Sequence, residues 1–254
     1  MVLYINIMTD LSKLGHLNHW LPRDFNPKIR DKWIENIAKN IPAGSKIVDI
    51  ASGNRPYMHL FSHCDYYSHE FEGNKQILDT FRGEIDKNKK YDYTGEITNL
   101  FEIEDESFDY VLCTEVLEHT PEPIKAIEEL TRICKKGGNI ILTAPFTSGL
   151  HQEPYHFYSG FSPHFYKYVA DKYKNIKVKE ISSQGDFFKL MSWFTNLAMQ
   201  FRLPHSEEFI VNTVSHYMQS YYLTMSETFG DSAGNIVDTS KHFTIGYMVI
   251  YEKI

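Results

Sequence analysis

The sequence predicts a doubly wound α/β fold. It implies a mostly parallel, seven-stranded sheet with helices on both faces, N-terminal helices ahead of it and a helical insertion before the last strand. Three observations carry that expectation. Short apolar runs rich in β-branched residues recur at Lys46–Ile50, Phe108–Thr114 and Asn139–Ala144. Such runs read as strands buried on both faces. Helical periodicity alternates with them, as at Pro123–Cys134, where Ile124, Ile127, Leu130 and Ile133 recur in period. The alternation breaks after residue 182, where two stretches rich in aromatics and methionine follow one another.

Taken in order, residues 10–22 read as a short first helix. Asn26-Pro27 is a helix start, a cap followed by proline in the first turn. The helix Pro27–Asn40 places Ile29, Trp33, Ile34 and Ile37 on one apolar face and stops at Pro42-Ala43-Gly44. Lys46–Ile50 is the first strand. A short helix around Pro56–Ser62, a strand at Asp65–Phe71, an amphipathic helix at Asn74–Ile85 and a weak strand near Tyr91–Thr94 follow. After the strand Phe108–Thr114, the helix Pro123–Cys134 is expected to close at Lys135-Lys136-Gly137-Gly138, basic residues and then glycine. The strand Asn139–Ala144, the helix Pro163–Tyr173 and the strand Ile176–Ile181 come next. Helices Phe187–Phe201 and Glu207–Tyr222 precede a last strand, His242–Tyr251. The reading is a single domain, 1–254. It comprises an N-terminal helical segment (1–44), a ligand-binding core (45–182), a helical insertion or lid (183–241) and the last strand (242–254).

Composition narrows the function. The 254 residues are 42% hydrophobic and 23% charged, as in ordinary soluble globular proteins. With 26 basic against 33 acidic residues the net charge is -7, which disfavours a nucleic-acid partner. The N-terminus lacks a basic region followed by an apolar stretch, and no window approaches the ~18 apolar residues of a membrane helix. Cys64, Cys113 and Cys134 show no CxxC spacing, and Cys113 and Cys134 sit among apolar residues. Buried thiols and a reducing, cytoplasmic setting are expected. Aromatic residues crowd the chain after residue 154, which suggests an apolar pocket or interface.

In an open parallel sheet, ligands bind beyond the carboxyl ends of the strands. The residues there are Asp49-Ile50-Ala51-Ser52-Gly53-Asn54, then Glu70, Gly95-Glu96-Ile97, Thr114-Glu115-Val116-Leu117-Glu118-His119, and Pro145-Phe146 leading to His151. Glu70 follows Asp49 by 21 positions. A carboxylate ~20 residues after the turn suits a ribose diol, because it accepts from both hydroxyls. A phosphate would want cations or several glycine amides, and the turn offers few of either. These residues therefore suit a nucleoside without phosphate, one carrying positive charge.

The residues resemble a family. VDIASGNRPY resembles the first motif of the class I S-adenosylmethionine-dependent methyltransferases, often D-x-G-x-G-x-x-P-Y. DESFDYVLCTEVLEHTPEP resembles their segment through the fourth strand, and KKGGNIILTAPF their fifth. The likeness covers roughly 45–182 and implies a Rossmann-like fold and S-adenosyl-L-methionine as cofactor. It implies that Asp49 and the backbone of Ala51 and Gly53, with Ser52 between them, hold the methionine end. By the same resemblance Glu70 takes the ribose and Glu96 and Ile97 face the adenine, while Thr114 meets the amino group with Glu115 beside it. Ala51 stands where the family usually has glycine; its extra methyl fits easily if its φ is negative. LHQEPYHFYSGFSP resembles an H-x-E-P-Y-x-x-Y segment of a bacterial subgroup associated with surface-glycan or small-molecule modification.

The implied reaction is methyl transfer, expected to be O-methylation of a small molecule or sugar hydroxyl. A base helps remove the hydroxyl proton, and His151, His119 and His156 are the candidates, His151 first. Glu153, Tyr155, Tyr158 and Trp193 are candidates for the acceptor site, between the His151–Tyr158 loop and the helices of 187–222. Alternatives are an N-methyltransferase, a catalytically silent cofactor-binding module, and a nicotinamide-dependent oxidoreductase. The last is opposed by the missing G-x-G-x-x-G.

Plainer readings stand beside these. Glu118-His119 serves equally as polar helix capping. His59, His63 and His69 form a solvated face rather than a metal site, and no metal is expected. Arg55 ends in a surface salt bridge. Met218, Tyr221, Tyr222 and Met225 extend the lid or form a face of a homodimer.

Overall fold

The computed structural model describes residues 25–71, 90–198, 214–215, 217–226 and 242–254. The expected helices at 10–22 and 74–85 lie outside these residues, as do parts of the two late helices. The chain divides into two compact units. One is Arg30–Gln184 with Ile245–Ile254; the other falls within Met1–Ile29 and Gly185–Thr244.

The larger unit holds the sheet. Its strands are β1 (Lys46–Ile50), β2 (Asp65–Glu70), β3 (Tyr93–Thr94), β4 (Phe108–Thr114), β5 (Cys134–Pro145), β6 (Ile176–Ser183) and β7 (Gly246–Lys253). They lie in the order β3-β2-β1-β4-β5-β7-β6. The pairs from β3 through β5 are parallel. β7 is inserted antiparallel between β5 and β6. The order reverses at β1, whose neighbours are β2 and β4, so a crevice opens at the carboxyl ends of β1 and β4. The mostly parallel doubly wound sheet is the expected one.

Strand periodicity sorts the core into two layers. On one face Val48, Ile50, Val111, Cys113, Ile140 and Leu142 join a cluster with Ala126, Ile127 and Leu130 of α2 (Pro123–Ile133) and Val169 of α3 (Pro163–Tyr173). On the other, Ile47, Leu112 and Ile141 pack with Ile34 and Ala38 of α1 (Phe25–Ala38) and with Tyr57 and Phe61. Each central strand therefore buries both faces. That is why IVDI, YVLC and NIILTA read as continuous apolar runs. Cys113 and Cys134 are buried, as expected, and all three thiols are free.

Two local expectations change. Lys135-Lys136-Gly137-Gly138 does not lie beyond the helix as a terminal cap but within β5. The helix ends at an extended Cys134, whose amide donates to the Leu130 carbonyl. The ladder shifts register between Phe108 and Tyr110, so these residues form an irregularity in the strand. Gly138 is required there because a Cβ would stand 2.7 Å from the Asp109 carbonyl oxygen. The last strand starts at Gly246 rather than His242.

The smaller unit contributes α4 (Phe187–Ala198), and residues 217–226 are also helical. Asp186 anchors it. Its carboxylate accepts from the Lys189 amide at 2.9 Å and from the Ser226 hydroxyl at 2.5 Å. Among the described residues no helix is long and apolar enough to cross a membrane.

Candidate active site

The crevice is built from the ends of β1, β2 and β4. After Ile50 the chain turns through Ala51 and Gly53, both at φ 54. The condition for an easy fit, a negative φ at Ala51, is not met: the residue lies in the left-handed region that favours glycine. A left-handed alanine costs about 1–2 kcal/mol and persists where surrounding bonds fix it. Here the Ser52 amide donates to the His69 carbonyl at 2.9 Å, and the Gly53 amide donates to Glu70 Oε2 at 2.8 Å. The Ala51 amide points at His69 Nδ1, 3.3 Å away. Glu115, where β4 ends, is also left-handed, at φ 54. Strained residues thus stand at both strand ends that flank the crevice, a common feature of functional edges.

His69 departs from its expected solvated role. It is 1% exposed, and burial pushes its pKa down to about 4, so it is a neutral imidazole beneath the turn. The sequence offered one signal for it, its position immediately before Glu70. His63 instead lies near the Ile41 carbonyl, 3.0 Å from its Nε2. Among the described residues Arg55 meets no acidic partner in a salt bridge. Its guanidinium lies 4.8 Å over the Tyr91 ring and donates to the Lys90 carbonyl.

Glu70 is 2% exposed, and its Oε1 accepts from the Phe71 amide at 2.7 Å. Asp49 is 1% exposed and accepts from the Tyr66 hydroxyl at 2.7 Å. Burial raises the Asp49 carboxyl from 3.8 to about 7; Tyr66 opposes the rise and the Glu70 charge adds to it. A carboxyl with a raised folded pKa contributes most stability below its unfolded value, and that contribution is lost as pH climbs through about 7. Asp49→Asn is therefore expected to melt above the native chain at about pH 8, with the advantage shrinking towards about pH 5. The swing has a ceiling of about 4 kcal/mol. Thermal melts of both proteins across that range check this; parallel curves refute it.

Glu96 is exposed after β3, and Ile97 is buried beside it. Thr114 ends β4 in register with Thr143. The Glu115 amide donates to the Thr143 carbonyl, and Glu115 Oε1 accepts from the Thr143 hydroxyl at 2.8 Å. The same oxygen lies 3.7 Å from Arg30 Nη1. Arg30, also bonded to the Tyr57 hydroxyl at 2.8 Å, is a polar contributor the sequence reading missed. It sits on the helix whose periodicity drew attention only to apolar positions.

The loop after β5 folds back over β4. The amides of Phe157 and Tyr158 donate to the Glu118 carbonyl, and the Tyr158 hydroxyl donates to the Pro121 carbonyl at 3.0 Å. This gathers the three candidate histidines. Ring centres are 4.9 Å apart for His119 and His151, 4.5 Å for His151 and His156, and 6.0 Å for His119 and His156. His119 Nδ1 lies 2.5 Å from the Tyr155 carbonyl and His151 Nδ1 2.8 Å from that of Gly149. His156 Nε2 lies 3.2 Å from the Ser148 hydroxyl. Glu118 is 2% exposed, and burial, with Glu115 nearby, pushes its carboxyl well above the usual range.

The acceptor candidates do not all converge. The Tyr155 ring packs edge-on against Phe71, 5.9 Å between centres, which links the loop to the end of β2. Tyr158 borders a cavity of about 770 Å³, with Phe146, Phe161 and Phe165 among its other walls. Glu153 is exposed on the loop. Trp193 belongs to the other unit, where it packs against Phe194.

The turn fits a cationic nucleoside. A Cβ at Gly53 would meet no heavy atom within 4 Å, so the left-handed turn faces open space. Buried Asp49 and Glu70 stand beside it, and the nearby cation, Arg55, is turned onto Tyr91.

Comparison with known proteins agrees. Residues 48–142 match a family model described as a methyltransferase domain. Phosphoethanolamine N-methyltransferase 2 of Caenorhabditis elegans is 26% identical over 151 residues, 59% of this chain. The matched stretch spans 31% of that relative's length, well under half of it. Two solved structures share the fold at 14% identity. One is assigned as a sarcosine dimethylglycine methyltransferase of Galdieria sulphuraria, with TM-score 0.50 over 89% of this chain and 84% of that one. The other comes from a complex of a methyltransferase with the Haloferax volcanii Trm112 activator, with TM-score 0.51 over 93% and 95%. The fold is that of the class I S-adenosylmethionine-dependent methyltransferases, and residues 48–142 form a methyltransferase domain, for which S-adenosylmethionine is the cofactor.

Proposed function

We propose that the protein methylates a hydroxyl of a small molecule or sugar. The observation that carries this reading is the gathering of His151 and His156, on the loop after β5, against His119 beyond the end of β4. The cofactor supplies an electrophilic methyl on a sulfonium that is already a good leaving group. The chain's own residues bind, orient and handle the proton. Asp49, Ala51, Ser52 and Gly53 receive the methionine end, Glu70 the ribose, and Glu96 with Ile97 the adenine. Thr114 and Glu115 flank the amino group. Tyr158 and the cavity beside it receive the body of the acceptor, with Tyr155 between acceptor and cofactor.

The imidazole cluster accepts the hydroxyl proton. His151 is the first candidate because it is exposed and its Nδ1 faces the Gly149 carbonyl, which directs its Nε2 outward as the basic nitrogen. His151→Ala is expected to keep S-adenosylmethionine binding within about threefold and to lower turnover by about 100-fold or more. Calorimetry and a methyl-transfer assay over a panel of hydroxyl acceptors test this. Unchanged turnover would remove His151 from the chemistry.

A second reading, N-methylation of a small amine, is favoured by the name of the nematode relative. The same panel with amine acceptors separates the two. The free thiols suit a reducing, cytoplasmic setting.

A further inference from the structure

We propose that Glu118, His119 and His151 bind a divalent first-row transition-metal ion at the rim of the active site. Nothing in the sequence pattern pointed to this, because His151 lies 32 positions after His119. The fold brings one ligand atom from each residue within 4.8 Å of the others.

Two independent features mark the cluster as a site rather than a chance grouping. Glu118 is 2% exposed, yet among the described residues its Oε2 has no hydrogen-bond partner. Buried carboxylate oxygens without a partner are costly and uncommon, and a cation satisfies one directly. Its other oxygen lies 3.7 Å from His119 Nε2, so the carboxyl is aimed into the cluster. The second feature is the orientation of the imidazoles. Each directs Nδ1 at a backbone carbonyl, His119 at Tyr155 and His151 at Gly149. A proton held on Nδ1 makes Nε2 the coordinating nitrogen, the arrangement by which metal-binding histidines are usually fixed.

The donor set selects the ion. Two nitrogens and one carboxylate oxygen suit Zn²⁺, Co²⁺, Fe²⁺ or Mn²⁺, whereas Mg²⁺ and Ca²⁺ favour all-oxygen ligands. Three protein ligands leave a coordination position open. An acceptor hydroxyl placed there would have its pKa lowered and would release its proton to solvent. The oxygen then forms its bond to the methyl carbon as the sulfonium C–S bond breaks and the sulfur keeps the electron pair. In the loaded protein His151 thus holds the ion instead of accepting the proton. The role in turnover rests on the methyltransferase reading, but the site itself does not.

The test is a titration of chelator-treated full-length protein with Co²⁺, followed by its visible absorption, and with Zn²⁺ by calorimetry. S-adenosylmethionine binding is measured on the same samples. One saturable ion per chain is expected. Glu118→Gln and His151→Ala should each weaken it at least about tenfold, the scale on which even outer partners of a metal matter. His164→Ala, an exposed residue of α3, should leave it unchanged. His151 is exposed, so its variant keeps the test valid if Glu118→Gln fails to fold. No saturable binding, or binding indifferent to His151→Ala, overturns the proposal. Cofactor binding without metal binding refutes the site and leaves the methyltransferase reading intact; metal without cofactor does the reverse.

Discussion

Glu70→Ala is expected to weaken S-adenosylmethionine binding by about 100-fold or more, corresponding to about 3 kcal/mol. Two losses combine. The first is the proposed acceptor for a ribose diol, and hydrogen bonds to a charged group contribute about 1.5–3 kcal/mol each. The second is the anchor of the turn, because Glu70 Oε2 accepts from the Gly53 amide at 2.8 Å. Without it the Ala51–Gly53 turn, already left-handed at both positions, loses one of the bonds that hold it. Glu70→Gln separates the contributions. Its amide keeps an oxygen for the Gly53 amide but replaces the other acceptor with a donor, so it should fall between the native chain and the alanine variant. Calorimetric titration of the three proteins checks this. Binding by the alanine variant within about threefold of native, with the fold intact, would show that the ribose is held elsewhere.

Gly160→Ala is expected to destabilise the protein by about 3 kcal/mol or more, lowering the melting temperature by about 10 °C. Gly160 lies at φ 156, and a Cβ there would stand 2.2 Å from the Phe146 carbonyl oxygen and 2.3 Å from its carbon. The backbone has little room to retreat. On one side the Ser159 carbonyl accepts from the Ser148 amide at 2.8 Å, and on the other the Phe161 amide donates to the Pro145 carbonyl at 2.8 Å. Relief of the clash requires breaking one of these bonds, which would release the loop carrying His151 and His156. Turnover should therefore fall further than stability alone explains. Gly149→Ala in the same loop is the contrast, since its Cβ would meet nothing within 4 Å and its effect should be small. Thermal denaturation of both variants decides. A Gly160→Ala melt within about 2 °C of native would mean that the loop yields freely.

Much of the fold was legible because its signals are local. The apolar runs at Lys46–Ile50 and Phe108–Thr114 became adjacent parallel strands, and Asp49 and Glu70 fell at the carboxyl ends of β1 and β2. A strand buried on both faces must be apolar throughout, and a ligand site at strand ends must carry its polar groups just beyond, so sequence order alone places both. The turn between α2 and β5 was misread because basic residues followed by glycine also describe a strand irregularity. Only the pairing with Asp109 distinguishes the two.

The sequence by itself determined the alternating elements, the paired core faces and the order of the strand-end residues, since each follows from side-chain periodicity within a few residues. The tertiary structure decided which strands pair and what meets across the gaps. It placed β7 antiparallel between β5 and β6, set Ala51 left-handed above a buried His69, and drew His151 onto Glu118 and His119. Those outcomes depend on hydrogen bonds between residues far apart in the chain, such as the Phe157 amide to the Glu118 carbonyl. No local pattern of side chains specifies the partner of a backbone group, because every residue carries the same one.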